Sequence, residues 1–230
     1  MRVDVRHWLK AGWSGAAVVL LVAVGYRYFC TVALALVLAA YCAHKVRRAM
    51  SLRAMARWAA AMGCFPVEPA TIEWPWQNLH LQGSSKVTYA WTGDIEGLPV
   101  TFGEVRWSGN AFGGAVLDRD GKGTFVVVGL PCEQPPMAIR LPYTVIGDSP
   151  RLEQPALRHA FSIMEIPPFT VRDTELFTVE PREHALNPGA AYRAVRRALL
   201  VVRLLDIGPD RPLPAAPDLA AATDPAATPD

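Results

Sequence analysis

The stretch VTYAWTGDIEGLPVTFGEVRW, running from Val87 to Trp107, is rich in β-branched and aromatic residues that partly alternate with small and polar ones. Residues 87–95 and 99–107 each read as a strand, and Glu96-Gly97-Leu98 between them forms a tight connection. The result is an antiparallel hairpin around which the rest of the soluble part arranges itself.

Working downstream, Ser108 to Gly114 is glycine-rich and leads into Ala115-Val116-Leu117. Asp118 to Gly123 then precedes Thr124 to Leu130, which reads as a second hairpin closed by an Asp-Gly turn. Met137 to Leu141 is a further short strand candidate, and Ala160 to Ile166 and Phe169 to Val179 add two more around Pro167-Pro168. Asn187-Pro188 has the form of a helix start, and Tyr192, Val195, Leu199, Val202 and Leu205 recur at helical spacing behind it. This stripe is expected to pack on the sheet, leaving Arg193, Arg196, Arg197 and Arg203 on the remaining surface as partner-binding candidates.

Gly208-Pro209 closes that helix. Residues 209–230 hold six prolines among Ala, Asp and Thr and no aromatic residue, a composition that cannot offset the entropy of ordering and reads as a disordered, net acidic tail.

Upstream, Ala11 to Ala43 carries one charged side chain, Arg27. Its thirty-three residues make a helix of about 50 Å, against a hydrocarbon core of about 30 Å. Gly25-Tyr26-Arg27-Tyr28 brings together a helix-weakening glycine, two tyrosines suited to a membrane interface and the arginine. The expectation is a transmembrane helical hairpin with spans over about 8–25 and 28–43. A single span is the alternative, and it carries the cost of placing Arg27 near the bilayer centre. The apolar block outruns a secretory signal and is followed by cations, which argues against cleavage.

Lys45, Arg47, Arg48, Arg53 and Arg57 follow the apolar block with no acid before Glu68. By the positive-inside rule the large C-terminal part faces the cytoplasm, and a hairpin puts both termini there, with the protein in the cell inner membrane. The same five cations lie where anionic lipid headgroups would meet them, in a helix-forming stretch that stops at Gly63 and Pro66. Basic residues without interleaved stacking aromatics give no reason to expect a nucleic-acid partner.

The expected organisation is therefore an anchor over 1–44, a basic juxtamembrane helix over 45–65, a soluble domain over 66–208 and the tail. The fold class is α+β: the membrane hairpin, then a mainly antiparallel sheet covered by the C-terminal helix. With 230 residues, 51% of them hydrophobic, and four cysteines, the chain is neither collagen-like nor disulfide-stapled nor wholly disordered.

Motifs that carry chemistry are weak. Cys30, Cys42, Cys64 and Cys132 form no Cys-x-x-Cys pair, and the histidines have neither i, i+4 pairing nor a His-Glu-x-x-His, so neither a metal nor any cofactor is expected. Gly121-Lys122-Gly123 lacks the spacing and the hydroxyl residue of a phosphate loop. Trp74-Pro75-Trp76, with Trp91 and Trp107, is the most distinctive aromatic cluster and is read as core or membrane-surface packing.

Several segments, taken together, resemble uncharacterised membrane-anchored proteins common in actinobacteria. They are the two-span start, the basic stretch, Trp58 to Phe65, Gly93-x-x-x-Gly97-x-Pro99-Val100, and Phe125 to Pro131. The similarity spans about residues 10–205. It implies the same architecture and supplies no catalytic residues. The leading functional expectation is a membrane-tethered cytoplasmic interaction or accessory domain with a protein partner and the bilayer. The rival is an enzyme acting on a lipid or envelope precursor, with His159, Glu165 and His184 as acid/base candidates.

Overall fold

The computed structural model describes residues 5–79 and 82–209, residues 5–27 as backbone only. The tail beyond Pro209 and His80 lie outside the described residues. The chain divides after Arg53 into two compact units.

The first helix, α1, runs from Val5 to Ala61 without interruption, 57 residues or about 85 Å. The hairpin tip expected at Gly25–Tyr28 is therefore corrected: the backbone there is helical. A lone glycine costs a helix only about 1 kcal/mol, and no proline lies between Val5 and Ala61 to break the hydrogen-bond ladder. The expected juxtamembrane helix is likewise the end of α1 rather than a separate element. Within the first unit, Tyr28, Phe29, Leu34, Leu36, Val37, Leu38 and Tyr41 are all exposed. The segment Tyr28–Ala61 is long and apolar enough to cross a membrane, with mean hydropathy 1.8 over its best window and none of that window buried.

The second unit begins with the last two turns of α1. The helix ends in a paired closure, Gly63 N–H to Ala60 O at 3.1 Å and Cys64 N–H to Ala59 O at 2.8 Å, with Ala59 and Cys64 both buried. The strands are β1 (Phe65–Val67), β2 (Gly83–Ile95), β3 (Leu98–Gly109), β4 (Gly121–Arg140), β5 (Thr144–Ile146) and β6 (Phe169–Pro181). They form one six-stranded antiparallel sheet in the order β1-β2-β3-β4-β5, with β6 also paired to β4. The β2–β3 hairpin turns on Glu96 and Gly97, both at positive φ (58° and 76°), the two-residue turn whose twist matches the flanking strands.

Three local expectations differ from the structure. Residues 115–117 are not a strand, and β4 pairs directly with β3 from Trp107↔Gly121 to Val100↔Val128, leaving Asn110–Asp120 as a loop. Met137–Leu141 is not a separate strand but the far half of β4, which continues to Arg140 through register shifts between Gly129, Gln134 and Met137. Those irregularities leave Pro131, Pro135 and Pro136 outside the paired register positions, where their missing N–H groups do no harm. The apolar run Ala160–Ile166 belongs to helix α2 (Pro155–Ser162) and the turn after it, burying Leu157, Ala160 and Phe161.

Helix α3 (Pro188–Leu204) starts on Asn187, whose side chain accepts from Ala190 N–H at 3.0 Å, with Pro188 in the first turn. Its buried stripe includes Ala194, Val195, Ala198, Leu199 and Val202, and it contacts β3, β4 and β6. The sheet has two different faces. Trp91, Phe102, Val126 and Thr178 are cross-strand neighbours on one, where Trp58 of α1 meets Phe102 edge-on at 5.5 Å. Val87, Val105, Phe125 and Val179 belong to the other, which is filled by Trp74, Trp76, Trp107 and Phe112.

Candidate functional site

The tryptophan cluster is core. Trp76 stacks on Trp74 at 5.4 Å and meets Phe112, Phe125 and Phe177 edge-on. The indole N–H of each is satisfied internally: Trp74 to Pro69 O, Trp76 to Ser85 Oγ, and Trp107 to Asp118 O.

On the face bearing Phe102, a polar row crosses the sheet. Strand register places Tyr89, Glu104, Thr124 and Glu180 side by side. The Tyr89 hydroxyl donates to Glu104 Oε2 at 2.7 Å, and Glu104 is only 5% exposed. Arg182, just past β6, reaches Thr124 Oγ1 at 3.5 Å. Arg197 of α3 pairs with Glu180 Oε2 and also donates to the backbone oxygens of Glu165 (3.0 Å) and Met164 (2.9 Å). Burial pushes the Glu180 carboxyl up, opposed by Arg197, Arg182 and Arg193. Burial and the like charge of Arg193 lower Arg182, against Glu180, Glu104 and Tyr89. No sequence pattern marks this row, because its members sit on four strands and meet only through register.

This arrangement reassigns part of the arginine face. Arg197 is committed to holding α3, β6 and the end of α2 together. Arg203 Nη2 lies 2.5 Å from Glu96 Oε2, and Arg196 Nη1 lies 4.0 Å from Glu96 Oε1, both exposed pairs at the β2–β3 turn. Arg193 is exposed and exerts its charge on Arg182 and Glu180. Beside Arg196, a hollow is lined by Trp58, Met62, Ile95, Tyr192 and Leu199 together with Asp94 and Glu96.

No protein-family model, curated protein or solved structure matches this chain.

The acid/base candidates His159, Glu165 and His184 are all exposed, on α2, on the turn after it and on the loop before α3. Among the described residues no hydrogen bond joins any two of their side chains; Arg197 holds the Glu165 backbone carbonyl, and the Ser162 hydroxyl donates to the His159 carbonyl at 2.7 Å. No group of three or more His, Cys, Asp or Glu suited to a metal occurs among the described residues. Of the membrane-surface candidates, Lys45, Arg47, Arg53 and Arg57 are exposed on α1 and Arg48 is half-buried, with the Lys45 ammonium 5.4 Å from the centre of the Tyr41 ring.

Proposed function

We propose that this protein is an accessory domain tethered to the inner membrane by α1, facing the cytoplasm, where it recruits a protein partner. The observation that carries the reading is the apolar surface of α1 from Tyr28 to Tyr41, exposed at every position but half-buried Ala33, on the same helix whose last turns supply buried Met55 and Ala59 to the sheet domain. An uncovered apolar surface of this kind needs lipid around it. The cations from Lys45 to Arg57 follow that surface and favour the cytoplasmic side for the domain and contact with anionic headgroups. An unbroken helix favours one crossing, which leaves the N-terminal end across the bilayer from the domain, and tilt absorbs its excess length.

Strand β5 favours recruitment by strand addition. It ends the path of the sheet, pairs with β4 over only three residues and exposes Thr144, Val145 and Ile146, with no proline to blunt its edge. β1, at the opposite end, carries Pro66.

Two experiments test the reading. Cys132, half-buried in β4, should resist a membrane-impermeant thiol reagent in intact cells and react after permeabilisation. Prompt labelling in intact cells would overturn the cytoplasmic placement. In a crosslinking pull-down from membranes, Val145→Pro should lose the partner that the wild-type full chain captures. Retention of that partner would remove the strand-addition reading.

A further inference from the structure

Arg140 closes β4, just before the turn at Leu141–Tyr143. Thr144 of β5 is paired opposite Arg140, and Thr170 of β6 is paired opposite Ala138, two residues earlier. Antiparallel partners and alternate residues share a face, so Arg140, Thr144 and Thr170 surround Ala138 on one side of the sheet.

Two of the three are nearly sealed: Arg140 is 6% exposed and Thr170 is 7% exposed. Nε and Nη1 of Arg140 and Oγ1 of Thr170 are all shielded from solvent, and none has a hydrogen-bond partner. Burial lowers the guanidinium to about 10, with no carboxylate acting to raise it, and at neutral pH it stays charged. An uncompensated buried cation is costly, whereas a well-placed anion gives it a charge-assisted hydrogen bond in place of that loss.

We propose that Arg140 and Thr170 form a binding site for a phosphate group. The guanidinium keeps unmet N–H donors and Thr170 an unmet hydroxyl on the same face of the sheet, and a tetrahedral oxyanion presents acceptor oxygens in several directions to meet such donors. Thr144 is exposed and opens the row to solvent on the β5 side. The phosphate is that of free inorganic phosphate or of a lipid phosphomonoester headgroup. The chemistry at Arg140 is the same for both, and the site does not depend on how α1 meets the membrane.

The test is thermal unfolding of the full chain in detergent micelles, with chloride replaced stepwise by inorganic phosphate at constant ionic strength. The wild type should gain several degrees in a saturable way, Thr170→Val should keep only part of that gain, and Arg140→Met should show only the small unsaturable drift that phosphate gives any protein. In chloride, Arg140→Met should be at least as stable as the wild type, because it removes an unpaired buried charge. A short-chain phosphatidic acid, set against the matching phosphatidylcholine, distinguishes the sources: a shift beyond that of inorganic phosphate identifies a lipid headgroup, and an equal or smaller one identifies free phosphate. Equal phosphate shifts in wild type and Arg140→Met, or a wild-type shift that never saturates, would overturn the site. Should Arg140→Met not fold, saturation in the wild type and its reduction in Thr170→Val still decide the matter.

Discussion

The Tyr89 hydroxyl donates to the buried Glu104 carboxylate at 2.7 Å, joining β2 to β3 at the start of the polar row. Tyr89→Phe deletes that donor and leaves the carboxylate short of a partner, at a cost of about 1–3 kcal/mol. Glu104→Gln alongside it should recover part of the loss, since a neutral amide tolerates the site better than a carboxylate does. Denaturant titrations of the two single variants and the double variant check this, and strict additivity would contradict it.

Glu180 gives the row a pH signature. Burial raises its carboxyl above the unfolded value, so its contribution to stability is fully present below the unfolded value and is lost as pH rises through the folded one. Stability measured against Glu180→Gln should therefore shift in favour of the wild type as pH falls from neutral toward the acid range. A difference that stays flat, or moves the other way, would show that Arg197 outweighs the burial.

Trp76 lies at the centre of the opposite face, 2% exposed and in ring contact with Trp74, Phe112, Phe125 and Phe177. Trp76→Ala should destabilise by about 3–5 kcal/mol, whereas Trp76→Phe should cost less by keeping most of the packing. Thermal melts of both variants measure the gap.

The start of α3 rests on one side chain. Asn187→Ala removes the acceptor for Ala190 N–H and should cost about 1 kcal/mol, with Asn187→Asp close to neutral. Chemical denaturation distinguishes this from a passive loop position, where both changes would be silent.

Some of this architecture is readable along the chain. The β2–β3 hairpin shows itself because β-branched and aromatic residues flank Glu96-Gly97, and α3 because Asn187-Pro188 precedes a stripe of period 3.6. Strand β4 hides behind Pro131, Pro135 and Pro136, which break the propensity signal although the strand carries them at its register shifts. Ala160–Ile166 is a short apolar run, and such runs do not distinguish a buried strand from the end of a helix. At Gly25–Tyr28 the glycine, tyrosines and arginine suggest a turn, but nothing there forbids helix, and helix is what forms.

The polar groups are less legible still. That Glu104 and Arg140 are inside and Glu180 is half-buried, while His159, Glu165 and His184 are outside, depends on which strand lies beside which. Composition and spacing carry no record of that pairing. Arg197, grouped with three other arginines by its helix position, is set apart only by the chance to reach Glu180 and two carbonyls at once.

Because Met55 and Ala59 are wholly enclosed, α1 cannot be cut off at Pro66 without uncorking the fold. A protease that sheds this domain intact must cleave before Ala54. A recombinant fragment has to begin there too, since one that starts at the first strand arrives with an open wound where Trp58 touched Phe102.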